Sequence, residues 1–195
     1  MSGGDWINIQ ADMRKAQRIV KQMEKIGPKA AASALNRAAS SAKTAAGRKV
    51  RERYTIKAKD VNAAFKIVTK PSAGSLEAVL RAKTGSLPLI NFQTKPSAPP
   101  GKKQPRGGVK VGVLKGQRKS LEHAFVAKVG TGGHVGVFER STRRRLPIKE
   151  LFGPPIPEML NAEEVRKELE QTFSDTFEQR INHEMDRHLA RLMGG

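Results

Sequence analysis

Residues 136–160, GVFERSTRRRLPIKELFGPPIPEML, form the stretch around which the rest of the chain is organised. They contain four of the eleven prolines and, at residues 143–145, the densest arginine run. Proline fixes φ and has no backbone N–H, so the prolines of residues 153–157 exclude a helix interior or a central strand there. We therefore predict a rigid connection, the proline elbow at residues 141–160, between a β-rich half and a terminal helix.

Three runs in and around this elbow carry a family resemblance: VFER at 137–140, RLPI at 145–148 and LFGPPIP at 151–157. Weaker support comes from ALNRA at 34–38, from residues 54–64 and from LPLINF at 87–92. Together they resemble the minor tail protein Z family, the tail-completion proteins of lambda-like phages and prophages. The signature positions are Phe138, Glu139, Arg140, Leu146, Pro147, Gly153, Pro154 and Pro157. The resemblance covers most of the chain and implies a structural role without an active site.

Charge is the strongest global feature of the 195-residue chain, whose formal net charge is +19. The positive excess lies in residues 1–120, whereas residues 161–195 sum to −3. Such a distribution favours contact with polyanions and head-to-tail attraction between copies. A basic, soluble protein without any nucleic-acid role is the plainer alternative.

The composition predicts a thin core, because 37% of the residues are hydrophobic and 5% are aromatic. Part of the chain should therefore be solvated or buried only against partner subunits. The absence of cysteine excludes disulfides and thiolate metal sites. No apolar run approaches the roughly 18 residues of a membrane span, and MSGGDWINIQ lacks the layout of a signal peptide. We expect no membrane partner, and a cytoplasmic location unless an assembly carries the protein out.

Three long helices are predicted, and Asp60 is a candidate cap for a further short helix through residues 61–64. Residues 9–26 show an amphipathic repeat, and residues 28–53 present an alanine face suited to close packing. A segment that orders only on binding is the alternative for residues 28–53. The third helix, residues 161–192 with Asn161 as N-cap, repeats its apolar residues every four positions. That spacing drifts by about 40° per step, so residues 181–192 should face another subunit unless the helix bends or breaks.

Alternating apolar residues predict five short strands, at 65–70, 76–81, 109–114, 124–129 and 134–138. Hairpin-scale connections make one antiparallel sheet of about five strands the expected arrangement. Residues 93–108, rich in proline, glycine and lysine, are predicted to form a mobile basic loop. The fold class is α+β: two N-terminal helices, this sheet, the proline elbow and a long C-terminal helix. One domain, 1–195, divides into a helical part (5–53), sheet (54–92 and 109–140), loop (93–108), elbow (141–160) and helix (161–192).

Basic side chains on loops and strand edges are the candidate contacts, because they can reach phosphate or acidic partners. They are Lys95, Lys102, Lys103, Arg106, Lys110, Lys115, Arg118, Lys119, Arg143, Arg144 and Arg145. No motif predicts sequence-specific reading of DNA.

Catalytic and metal sites are not expected. His183 and His188 are five residues apart, whereas the zinc-protease pattern places two histidines four apart on one helical face. The glycines of residues 130–133 lack the following Lys-Ser/Thr of a phosphate loop. Glu139, Glu150 and Glu158 have no nucleophile beside them in the sequence. We therefore predict that the protein is not an enzyme and uses no cofactor or metal.

The resemblance implies a virion protein that completes a phage or prophage tail near its head-proximal end. Its expected partners are copies of itself in a ring (six being one candidate number) and neighbouring tail or neck proteins. Duplex DNA is a further expected, non-specific partner. The expected locations are the virion tail and, during assembly, the host cytoplasm. Two alternatives stay open: a non-specific nucleic-acid-binding protein acting alone, and a toxin-like or ribosome-associated basic protein.

Overall fold

The computed structural model describes residues 7–9, 27–83, 85–101 and 107–193. Within these residues helices are combined with short antiparallel strands, so the predicted α+β class is confirmed. The helices are α1 (Pro28–Arg53), α2 (Ala58–Ala64), α3 (Ile156–Leu160) and α4 (Glu163–Met193). None of the helices in this part of the chain is long and apolar enough to cross a membrane.

Helices α1 and α4 form the largest contact between elements and run antiparallel. Arg53 at the end of α1 pairs with Glu164 at the start of α4, and Arg48 pairs with Glu168 one turn further along. Helix α1 begins at Pro28, as predicted, because proline's fixed φ suits a first turn and its missing N–H is not needed there. Its buried face includes a row of small side chains spaced by four: Ala34, Ala38, Ala42, Ala46 and Val50.

The apolar row of α4 is buried within the same chain. Its members, all at most 3% exposed, are Val165, Leu169, Phe173, Phe177 and Ile181. The expectation that residues 181–192 face another subunit is therefore wrong at Ile181, and Met185 is also partly buried. Because α1 carries its own row spaced by four, ridges of this spacing on both helices can interdigitate. The apolar row of α4 shifts around the helix along its length, and helix α1 covers it where a flat surface could not.

The strands in the described residues form four small sheets, so the prediction of one sheet of about five strands is wrong. The first sheet has the spatial order β1 (Ile7–Ile9), β3 (Val79–Ala82), β2 (Phe65–Thr69). The second has the order β10 (Ile148–Glu150), β9 (His134–Arg140), β8 (Ala124–Val129). The third has the order β5 (Gln93–Lys95), β6 (Val109–Gly112), β7 (Lys119–Leu121), and the fourth pairs β11 (Phe152–Gly153) with β4 (Leu87–Pro88).

Prolines limit the length of three strands in these sheets. Pro88 lies in β4, Pro96 directly follows β5 and Pro147 directly precedes β10. Proline cannot donate to a ladder, so a strand pair ends or lies at an edge there. Single hydrogen bonds link neighbouring sheets instead. The amide of Leu151 donates to the carbonyl of Val137 at 2.8 Å, and its carbonyl accepts from the amide of Leu89 at 3.0 Å.

Several predicted boundaries are also corrected. Residues 7–9, placed in the helical part 5–53, form strand β1, which pairs with β3. Residues 10–26, where the first helix was predicted, lie outside the described residues. Within the predicted loop 93–108, Gln93–Lys95 forms β5 because it pairs with β6. Asn161 caps the C-terminus of α3 and is not the N-cap of α4, which begins two residues later.

The five predicted strands are all present, with ends that differ at three of them. Residues 65–70 and 124–129 agree with β2 and β8 to within one residue. The strand predicted at 76–81 begins only at Val79, the one at 109–114 ends at Gly112, and the one at 134–138 continues to Arg140. This last extension is what positions the arginine run of the elbow.

Candidate interaction surfaces

The arginine run lies on an exposed hairpin loop. The pairing of β9 with β10 ends at Arg140 and Ile148. Residues 141–147, which we name the arginine loop, therefore form the tip of this hairpin. The Ser141 amide donates to the Pro147 carbonyl at 3.1 Å and closes the loop. The Arg144 amide donates to the Thr142 hydroxyl at 3.2 Å. The loop therefore presents its side chains from a hydrogen-bonded turn.

Three unpaired cations and one apolar side chain project from this loop. Arg143, Arg144 and Arg145 are all exposed, and none of them makes an ion pair with any residue that the structure describes. Leu146 is 65% exposed. Such a group can bind a carboxylate or a phosphate, since guanidinium matches both.

The signature residues before the loop shape the hairpin. Phe138 is buried against Phe125 of β8, with ring centroids 6.3 Å apart. The guanidinium carbon of Arg140 lies 4.8 Å from the Phe125 ring centroid, a cation–π distance. Glu139 is half-buried and pairs with Ala124, and Pro147 is exposed where the loop closes. These positions support the hairpin, whereas the exposed Leu146 contributes nothing to the core.

The signature residues after the loop turn the chain into α3. A Cβ added at Gly153 would lie 2.5 Å from the ring of Phe92, so only glycine fits without displacing that ring. Pro154 is half-buried, and Pro157 is buried in the first turn of α3. The prediction that residues 153–157 form neither a helix interior nor a central strand is confirmed, because Gly153 lies in the two-stranded sheet and Pro157 in a first turn.

The remaining predicted contacts belong to a different sheet, β5–β6–β7. Lys95 and Lys110 are directly opposite each other across β5 and β6, and both are exposed. Like charges directly opposite each other destabilise a sheet. An anion that binds both ammonium groups would remove this repulsion. Lys119 is paired with the buried Val111 and so lies on the opposite face from Lys110. We name Lys95 and Lys110 the lysine pair.

Other predicted contacts lie near that sheet. Lys115 and Arg118 occupy the connection between β6 and β7, where the Lys115 amide donates to the Arg53 carbonyl at 2.8 Å. Lys102, Lys103 and Arg106 lie outside the described residues. The structure thus divides the predicted contacts between two sheets and brings Lys95 and Lys110 together.

A polar groove between α1 and α4 was missed by the sequence analysis. Its volume is about 510 Å³, and its lining includes Arg37, Ser33 and Ser40 of α1 with Arg180 and His183 of α4. Arg37 and Arg180 have no carboxylate partner among the described residues. The sequence places both arginines on the polar sides of amphipathic helices. It does not show that the two helices pair and bring these side chains to one groove.

An acidic stripe on α4 was also missed. Five acidic residues of α4 are engaged in ion pairs: Glu163, Glu164, Glu168, Glu170 and Glu184. Asp175, Glu178 and Asp186 are exposed and in no ion pair within the described residues, although Asp175 accepts a hydrogen bond from Gln171 at 2.9 Å. At 100° per residue these three lie within about 80° of one another around the helix. They form a solvent-facing stripe, the acidic stripe.

Two electrostatic contacts stand out among the described residues. The side-chain hydrogen bond from Arg53 to Glu164 raises the pKa of the guanidinium above its ordinary value. His134 lies 2.7 Å from Glu150, both on the sheet that carries the arginine loop. Among the described residues no group of three or more histidine, aspartate or glutamate side chains is placed to hold a metal ion.

Comparison with known proteins gives one family. The family described as prophage minor tail protein Z matches residues 12–192, nearly the whole chain. No curated protein and no solved structure matches the chain significantly.

Proposed function

The chain belongs to the prophage minor tail protein Z family, and from this membership we propose that it acts as a ring-forming subunit in completing the tail near its head-proximal end. The family itself is one of structural phage tail proteins, and such a protein resides in the virion tail. The host cytoplasm is the proposed location while the tail is assembled. Its proposed partners are copies of itself and neighbouring tail or neck proteins.

The match over residues 12–192 is the observation that carries this proposal. The ring draws support from a second feature, because the arginine loop bears cations and α4 bears carboxylates that form no ion pair within the described residues. A head-to-tail contact between two different surfaces repeats from copy to copy and makes a ring if the rotation closes.

A second candidate function is non-specific nucleic-acid binding by the protein acting alone. The lysine pair favours it, since Lys95 and Lys110 place two ammonium groups on one exposed face. Phosphate contact of this kind needs charge and geometry and no base-reading motif. Solution mass separates the candidates: stable rings favour the first, and a monomer that retains DNA favours the second.

Deletion of the gene from an inducible prophage tests the proposed function. We expect electron micrographs of induced lysates to show heads and tails that fail to join into infectious particles, with infectivity restored by a plasmid copy. The protein should also be detected by mass spectrometry in purified wild-type virions. Normal infectivity of the deletion, or absence of the protein from virions, would overturn the proposal.

A further inference from the structure

We propose that the arginine loop of one copy binds the acidic stripe on α4 of a second copy. This inference rests on the proposed ring and identifies the two surfaces that would meet in it. The reason is a mismatch within one chain: two exposed, oppositely charged groups form no ion pair among the described residues. The arginine loop carries the positive charge that the acidic stripe would bind, and the stripe carries the negative charge that the loop would bind.

The loop is suited to this contact because its shape is fixed before binding. Residues 141–147 are closed by the bond between the Ser141 amide and the Pro147 carbonyl and by the turn at Thr142. Three consecutive arginines then project from a turn and not from a flexible chain. Guanidinium groups so positioned lose less conformational freedom when they bind carboxylates.

The stripe is suited to the contact because it is regular and rigid. Asp175 and Glu178 lie about one turn apart, and Asp186 lies about 16 Å beyond Asp175 along the axis. The helix beneath them is held by the buried row on its other side, which includes Phe173 and Phe177. Asn182 lies between Glu178 and Asp186 on the same face, so no cation interrupts the stripe there.

A second copy explains both surfaces, whereas DNA explains one. Duplex DNA would satisfy the arginines but would be repelled by Asp175, Glu178 and Asp186. In a contact between two copies, the stripe of one copy supplies carboxylates for the loop of the other, and that loop supplies guanidinium groups for the stripe. Since every copy carries both surfaces, the contact is heterologous and leaves one surface free at each end until a ring closes.

Exposed ion pairs contribute little affinity each, so these charges should set orientation and association rate. Apolar area beside the loop supplies the affinity. Leu146 lies in the loop itself and is 65% exposed. The contact should therefore weaken with salt and should also weaken on Leu146→Ser, which leaves the charges intact.

Charge reversal provides the test, with the full-length chain and solution mass measured by light scattering and sedimentation at low salt. The loop variant is Arg143→Glu, Arg144→Glu and Arg145→Glu, and the stripe variant is Asp175→Arg, Glu178→Arg and Asp186→Arg. Each variant alone should show self-association weakened at least tenfold. An equimolar mixture should recover it, because the reversed loop of one variant meets the reversed stripe of the other. The mixed assemblies should contain equal amounts of both.

Matched controls reverse equal numbers of exposed charges elsewhere. Lys59→Glu, Lys66→Glu and Lys70→Glu serve for the loop variant; Glu77→Arg, Glu122→Arg and Glu158→Arg serve for the stripe variant. Neither control should reduce assembly, and circular dichroism should show all four proteins folded. A loop or stripe variant that fails to fold is replaced by its three single substitutions, which should weaken assembly additively.

The outcomes separate this inference from the function on which it rests. Wild-type rings that survive both reversals would overturn the contact and leave the ring in place. A wild type that stays monomeric at every concentration would overturn the ring together with the contact. Loss of assembly in one variant without recovery in the mixture would also overturn the contact. Unchanged assembly with lost retention of a DNA duplex in the loop variant would assign the arginines to phosphate.

Discussion

At the scale of single residues, Gly153 is the position of the proline elbow that has no room for a side chain. The ring of Phe92, itself buried, occupies the space into which a side chain at residue 153 would extend. Since neighbouring Leu151 is hydrogen-bonded to both Val137 and Leu89, the backbone there is held from two sides. The missing side chain of Gly153 therefore sets how closely the elbow approaches the core.

Gly153→Ala is predicted to lower the free energy of unfolding by about 1–3 kcal/mol, the usual cost of overpacking a core site. The physical reason is the 2.5 Å approach of the added Cβ to the Phe92 ring. Urea unfolding followed by circular dichroism measures it. Gly74→Ala is the control, because no atom lies within 4 Å of its added Cβ. Equal stability of the two variants would show that the ring moves aside without cost.

At the scale of elements, the α1–α4 pair is the structural centre of the chain. The alanine row of α1 lets the larger side chains of α4, such as Phe173 and Phe177, approach its backbone closely. Ion pairs at one end and the polar groove at the other flank this contact. Helix α4 is thus a core element over most of its length, and only its outer face is left for a partner.

Ile181→Ala tests that conclusion at the residue where the sequence had suggested a subunit contact. Ile181 is 2% exposed within one chain, so truncation should cost about 2–5 kcal/mol of stability. The unfolding midpoint should fall by the same amount at all protein concentrations. Asn182→Ala, at the exposed neighbour, should change little. A loss that appears only at concentrations where copies associate would instead place Ile181 at an interface.

At the scale of the whole molecule, the net charge of +19 should produce weak, sequence-independent attraction for duplex DNA. We predict retention at low salt and its loss near physiological salt. Each phosphate contact that is removed lowers the slope of log affinity against log salt by about 0.9. Lys95→Gln with Lys110→Gln should therefore reduce that slope by about 1.8, measured by fluorescence anisotropy.

The control variant has the same net charge as the variant that lacks the lysine pair. Lys59→Gln with Lys66→Gln removes two exposed lysines that lie apart, on α2 and β2. It should reduce the slope less, because isolated lysines do not share a phosphate path. An equal reduction in both variants would mean that DNA responds to total charge and not to the paired lysines.

The sequence by itself determined the local elements and the family. Alanine at the buried positions of residues 28–53 favours a helix, and the glycines at residues 130–133 favour the turn between β8 and β9. The proline order of the elbow was enough for the family resemblance, which the match over residues 12–192 confirmed. Each of these signals lies within a short window, where propensity and turn chemistry act.

Tertiary structure alone decided how those elements meet. Leu87 with Gly153, Gln93 with Gly112 and Arg53 with Glu164 are pairs of residues far apart in the chain. Four sheets form in place of one, with prolines in or directly beside β4, β5 and β10 and single backbone hydrogen bonds linking neighbouring sheets. The lysine pair and the polar groove likewise depend on register and helix pairing. Such contacts are selected by the burial of side chains from distant segments, and no local pattern encodes which segments those will be.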